Sequence, residues 1–237
     1  IELHKPENIG KFKKNFYQRL AFDEIFSTFL VNSEIRKKIK KIKKKNKLLN
    51  KTKQNEIIDK LEFTLTKDQK KTLQEINNDL SSSNKMFRLL QGDVGSGKTI
   101  VSLIAAYNTI NSGFQVAVMA PTEILARQHY NFAQKLFPKK INIQLISGKS
   151  EYKTKKEILK KLANNQIDII FGTHAIFQKK VNFNNLGLII IDEQHKFGVN
   201  QRKRLSDKGG NNCDVLLMTA TPIPRTLTMT LYGDMDL

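Results

Sequence analysis

Beyond residue 85 the chain alternates short apolar runs with amphipathic stretches. The runs occupy 86–90, 116–120, 143–146, 167–171, 186–191 and 214–218. They are rich in Ile, Leu and Val, bounded by polar turns, and too short for helices, so each predicts a buried strand. Stretches of helical spacing start near Lys98, Thr122, Lys153 and Gly198. Strands joined by helices predict an α/β fold, a mainly parallel sheet with right-handed crossovers and helices on its faces. Ligands then collect where the carboxyl ends of the strands open into turns. Residues 1–60 follow a different pattern. Phe12, Phe16, Leu20, Ile25, Phe26 and Phe29 recur at roughly helical spacing and predict an amphipathic helix with an aromatic face. Ile35, Ile39 and Ile42 extend that stripe through a lysine run ending at Lys45, with no acid between Glu34 and Glu56. The chain therefore divides into a helical segment over 1–60, Lys-rich over 36–53, and an α/β domain over 61–237. The lysine face reads either as a solvated surface or as a strip that follows a phosphate backbone.

The turn after the first run reads Gly92-Asp93-Val94-Gly95-Ser96-Gly97-Lys98-Thr99. This is a complete phosphate-binding loop in its required place, between a strand and a helix. Gly92, Gly95 and Gly97 let the backbone curl, so that successive N–H groups, that of Ser96 among them, face one anion. The helix beginning at Lys98 adds its positive end. Lys98 reaches toward the β/γ-phosphates, and the Thr99 hydroxyl is placed for Mg²⁺. The run 186–191 ends in Asp192-Glu193-Gln194-His195. Asp192 is the candidate Mg²⁺ carboxylate, and Glu193 the group that orients or deprotonates an attacking water. A water-activating carboxylate favours hydrolysis of the nucleotide over transfer of its phosphate to a small molecule. Thr219 and Thr221, at the end of the last run, could link the γ-phosphate site to whatever the protein moves. Thr at a strand end is also a common helix cap.

Composition changes this picture little. The chain of 237 residues is 39% hydrophobic and 27% charged, an ordinary globular balance. No stretch approaches the roughly 20 apolar residues of a membrane span. The single cysteine, Cys213, excludes an internal disulfide and a cysteine zinc cluster. A net charge of +19, from 41 basic and 22 acidic residues, favours a polyanionic partner. The Lys, Asn and Ile bias of an AT-rich genome accounts for part of that excess. The first residue is not Met, as expected for part of a longer chain. His129 and His4 have no supporting constellation and read as structural or exposed.

Taken together, the motifs resemble those of superfamily 2 helicases, and within them the RecG family of branched-DNA helicases. Phe63-Thr64-Leu65-Thr66-Lys67-Asp68-Gln69 is similar to the adenine-recognising motif, in which the aromatic stacks on the base and Gln69 reads its edge. Met119 to Ala126, with Thr122, looks like motif Ia, and Gly172-Thr173-His174 like motif Ib; both contact the DNA backbone in that family. Asp192 to His195 resembles motif II and Met218 to Thr226 motif III, so Gln194, His195, Thr219 and Thr221 take coupling roles. The transcription-repair coupling factor is the nearest rival; it typically has Glu in place of Gln194 and Phe in place of Ser96. DEAD-box RNA helicases carry Ala-Asp where this chain has Gln194-His195. A P-loop NTPase that does not act on DNA, and an interaction module working through its lysines, are further alternatives.

The resemblance implies a RecA-like P-loop NTPase domain, the first motor lobe, preceded by connector helices. It also implies ATP and Mg²⁺ as cofactors, branched DNA such as forks or Holliday junctions as partner, and a cytoplasmic, nucleoid-associated bacterial setting. The family's second RecA-like lobe and its wedge domain have no counterpart in these residues. This stretch alone is therefore expected to be nearly inactive, because the second lobe supplies arginine fingers worth ~10³–10⁵ in rate.

Overall fold

All six apolar runs form strands in the computed structural model, which describes residues 9–148, 152–178, 180–192 and 210–220. They are β1 (Phe87–Gln91), β2 (Gln115–Met119), β3 (Ile143–Ile146), β4 (Ile169–Gly172), β5 (Leu186–Ile191) and β6 (Asp214–Thr219). Every pairing is parallel, and the order across the sheet is β1-β6-β5-β2-β4-β3. β2, β5 and β6 are buried along their whole length, as expected of strands covered on both faces. The predicted helices are α4 (Lys98–Asn111), α5 (Glu123–Leu136) and α6 (Tyr152–Ala163). The stretch beginning near Gly198 lies outside the described residues. No helix among the described residues is long and apolar enough to cross a membrane.

Two further helices, α2 (Lys51–Ile58) and α3 (Lys67–Ser81), do not follow from the apolar runs. Their signal was in the residues nonetheless. Thr66 and Gln69 form a reciprocal capping box, and Leu73, Ile76 and Leu80 follow at helical spacing, all buried. Each such side chain contributes about 1.5–3 kcal/mol by leaving water, which outweighs a helix otherwise rich in polar residues. α3 packs on α4, whose buried span runs from Ile100 to Ile110.

The described residues fall into two compact units, one of residues 9–39 and one of those from 40 to 220. In the first, α1 (Ile9–Lys41) is a single helix, and Leu20, Ile25, Phe26 and Phe29 of its predicted apolar face are exposed. The isoleucine stripe predicts helix as far as Lys45, yet the helix stops at Lys41. From there the backbone bonds to the end of α3 instead of to itself: Lys44 N–H donates to Ser83 O (2.9 Å) and Lys47 N–H to Leu80 O (3.1 Å). Two of the lysines point inward. Lys44 and Lys47 each place Nζ 2.6 Å from Asp214 Oδ2, with all three side chains fully buried. Asp214 Oδ1 in turn accepts the Met86 N–H at 2.7 Å.

Candidate functional site

The register of the sheet decides which turns meet. Gln91 pairs with Thr219, Ile191 with Met119, and Met119 with Gly172. Five strands therefore end nearly level, and their outgoing turns share one edge. Backbone bonds stitch it: Gly92 N–H to Thr219 O (3.3 Å), Asp192 N–H to Met119 O (2.8 Å) and Ala120 N–H to Gly172 O (3.0 Å). Strand order then sorts the edge into halves. β1, β6 and β5 carry the phosphate loop, Thr219 and Asp192. β2 and β4 carry Thr122 and Gly172-Thr173-His174.

In the first half the loop is closed by Ser96 N–H donating to Asp93 O (3.1 Å), and Gly95 and Gly97 adopt φ of +81° and +83°. Gly97 is also the residue before α4, and no side chain caps the first turn of that helix; Ile100 N–H donates to Gly97 O, which leaves the N–H groups of Lys98 and Thr99 to an anion. A Cβ at Gly97 would collide with the Gln69 amide. That amide is doubly engaged. Gln69 Oε1 accepts the Thr66 N–H (2.9 Å), and Nε2 donates to Ser96 O (2.8 Å). Gln69 thus braces the phosphate loop directly, a role its sequence context did not disclose. Phe63, its partner in the adenine motif, is 51% exposed and available for stacking. Lys98 folds over the loop, with Nζ donating to Gly92 O (2.6 Å) and Asp93 O (2.7 Å).

Thr99 is the second residue of α4, and Asp192 ends β5 with β6 lying between. Two strand spacings, about 10 Å, separate β1, whose turn leads into α4, from β5. Among the described residues no group of three His, Cys, Asp or Glu is assembled to hold a metal. The Thr99 hydroxyl, the Asp192 carboxylate and the Lys98 ammonium are groups that Mg²⁺ and a nucleotide's phosphates would take, so the residues present fit Mg-ATP. Glu193, Gln194, His195 and Thr221 lie outside the described residues.

In the second half Thr122 caps α5, its Oγ1 accepting the Leu125 N–H at 3.3 Å. Glu123 Oε1 accepts the Gly148 N–H, which draws the turn after β3 to the same edge. Gly172 is buried, and a Cβ there would sit 2.8 Å from Ile146 O, so the glycine is required by close packing alone. Thr173 precedes a short 3-10 helix, His174–Phe177, with His174 exposed. Of the two readings of His129, structural or exposed, the structure keeps the first and adds a partner. The histidine lies on α5 and is buried, with Nε2 2.8 Å from Asp192 Oδ2. The two are 63 residues apart, and nothing in the sequence pairs them.

Comparison with known proteins shows the family of this fold. "ATP-dependent DNA helicase RecG" of Streptococcus pneumoniae is 45% identical over 99% of this chain, which spans 35% of that relative. The protein of the same name from Bacillus subtilis is 53% identical over 76% of the chain and 26% of its own length. The chain thus spans about a third or less of the length of these curated relatives. Among solved structures, that described as "Structure of RecG bound to three-way DNA junction" matches with a TM-score of 0.81 and 44% identity. The match covers 92% of this chain and 29% of that one. The pattern of the DEAD/DEAH box helicase family matches residues 66–230, which include the phosphate loop, Asp192, Thr122 and Gly172-Thr173-His174, and the chain belongs to that family.

Proposed function

We propose that this chain is the ATP-binding first motor lobe of an ATP-dependent DNA helicase or translocase that acts on branched DNA in the bacterial cytoplasm, at the nucleoid. Residues 1–60 serve as its connector and 61–237 as the lobe. A second RecA-like lobe and a wedge domain act with it in the complete protein. The observation that carries the reading is the single sheet edge on which the 92–99 loop and Asp192 adjoin Thr122 and Gly172-Thr173-His174. The relatives named RecG, one of them solved on a three-way DNA junction, supply the substrate class.

In this mechanism Phe63 stacks on the adenine while Gln69 holds the loop and reads the base edge. The N–H groups of Gly95 and Gly97 meet the phosphates, Gly92 and Ser96 shape the loop through their own bonds to Thr219 O and Asp93 O, and Lys98 leaves its two carbonyls for the β/γ oxygens. Thr99 and Asp192 would hold Mg²⁺, which would supply neutralisation of the phosphate charge when bound. Glu193 aligns the attacking water. Thr122, Thr173 and His174, with the backbone at Gly172, meet the DNA phosphates. Gln194, His195, Thr219 and Thr221 relay the state of the γ-phosphate between the halves.

The test replaces the matching segment of the pneumococcal protein with these residues and follows strand separation of a three-way junction. ATP-dependent separation is expected, with nucleotide binding kept but hydrolysis lost in Glu193→Gln. A chimera that binds Mg-ATP but hydrolyses it with no response to DNA refutes the motor reading.

A further inference from the structure

β5 is the seam of the edge, since it borders β6 on the nucleotide side and β2 on the nucleic-acid side. Asp192, at its end, is held twice from the β2 side. Its N–H donates to Met119 O at 2.8 Å, and its Oδ2 lies 2.8 Å from Nε2 of His129 on α5, the helix that β2 leads into. The two side chains are only 14% and 10% exposed, so little water is at hand to replace the bond. An ionised carboxylate can only accept, which assigns the hydrogen to Nε2. A hydrogen bond on Oδ2 restricts rotation of the carboxylate about its Cβ–Cγ bond, and with it the direction in which it meets a metal or a metal-bound water.

We propose that His129 is the positioning residue for Asp192, holding its carboxylate in the orientation that the hydrated Mg²⁺ of a bound nucleotide requires. The proposal rests on Asp192 being the Mg²⁺ carboxylate. A histidine that merely filled the core would act on stability alone and have no need to reach the end of β5. The α5 position also means that the helix whose cap, Thr122, faces the nucleic-acid half grips the metal carboxylate two turns further on.

Two substitutions separate the roles. Gln places its Nε2 at a reach similar to that of the imidazole Nε2, so His129→Gln keeps the donor. His129→Leu keeps apolar bulk and removes it. The readout is binding of a fluorescent ATP analogue to the 237-residue chain in EDTA and across a Mg²⁺ titration, repeated with Mn²⁺ and followed by electron paramagnetic resonance. In His129→Leu the half-saturating Mg²⁺ concentration rises about 10–100-fold, the usual effect of losing a partner of a ligating group. Its affinity in EDTA is unchanged, and its bound-Mn²⁺ signal weakens in parallel. His129→Gln stays close to the native chain. An unchanged Mg²⁺ midpoint in His129→Leu overturns the proposal. So does an equal loss in EDTA and in Mg²⁺, which marks a structural histidine. If the native chain gains no affinity from Mg²⁺, the reading of Asp192 falls, and the role of His129 falls with it.

Discussion

Cys213 illustrates how far a single residue can be read before its surroundings are known. Its solitude ruled out a disulfide, but its chemistry is set by burial, which pushes the thiol from 9.0 up to about 12, with nearby lysines opposing. It stays protonated and inaccessible at neutral pH, and thiolate is the reactive form. Ellman's reagent at pH 8 should therefore leave the folded chain unlabelled and modify it only on addition of denaturant. Because the folded thiol titrates above the unfolded one, its contribution to stability is complete below pH 9 and is lost as pH climbs toward 12. Relative to Cys213→Ala, the native chain should lose stability across that range. His129 is the opposite case. It carried no signal at all, since its partner is named only by the adjacency of β2 and β5.

Elements were legible where one face is buried and the period is clean. The six strands and the helices after β1, β2 and β3 follow from apolar runs and turn residues alone. The lysine segment was not legible, because a charge run reads as solvent-facing wherever it occurs. Neither a solvated face nor a phosphate strip describes Lys44 and Lys47, which turn inward to Asp214, far along the chain. Burial lowers the Lys44 ammonium below the usual lysine range, with Asp214 pulling the other way. Asp214 is therefore the counter-charge for two buried cations. Asp214→Asn keeps an acceptor for the Met86 N–H but strands both lysines, and denaturant unfolding should register a loss of about 3–5 kcal/mol. Lys44→Met leaves Lys47 paired and should cost clearly less. The reverse ranking would mean that the carboxylate is not the anchor of the cluster.

At the scale of the whole molecule the decisive fact is strand order, which local patterns do not encode. Motifs scattered from residue 63 to 219 meet because β6 and β5 insert between β1 and β2, bringing the ends of late strands beside the first phosphate turn. The sequence singled out the loop, Asp192, Thr122 and Gly172-Thr173-His174, which the structure places along one edge, but not that Gln69 and His129 brace them. The account stands on that edge being a Mg-ATP site with Lys98 as its cationic arm. Isothermal titration of Mg-ATP into the 237-residue chain and its Lys98→Ala variant tests this directly. Saturable one-site binding is predicted for the native chain. In the variant, loss of a charge-assisted contact worth about 1.5–3 kcal/mol should weaken binding at least tenfold. Equal affinity in the two, or no binding by the folded native chain, would contradict the account.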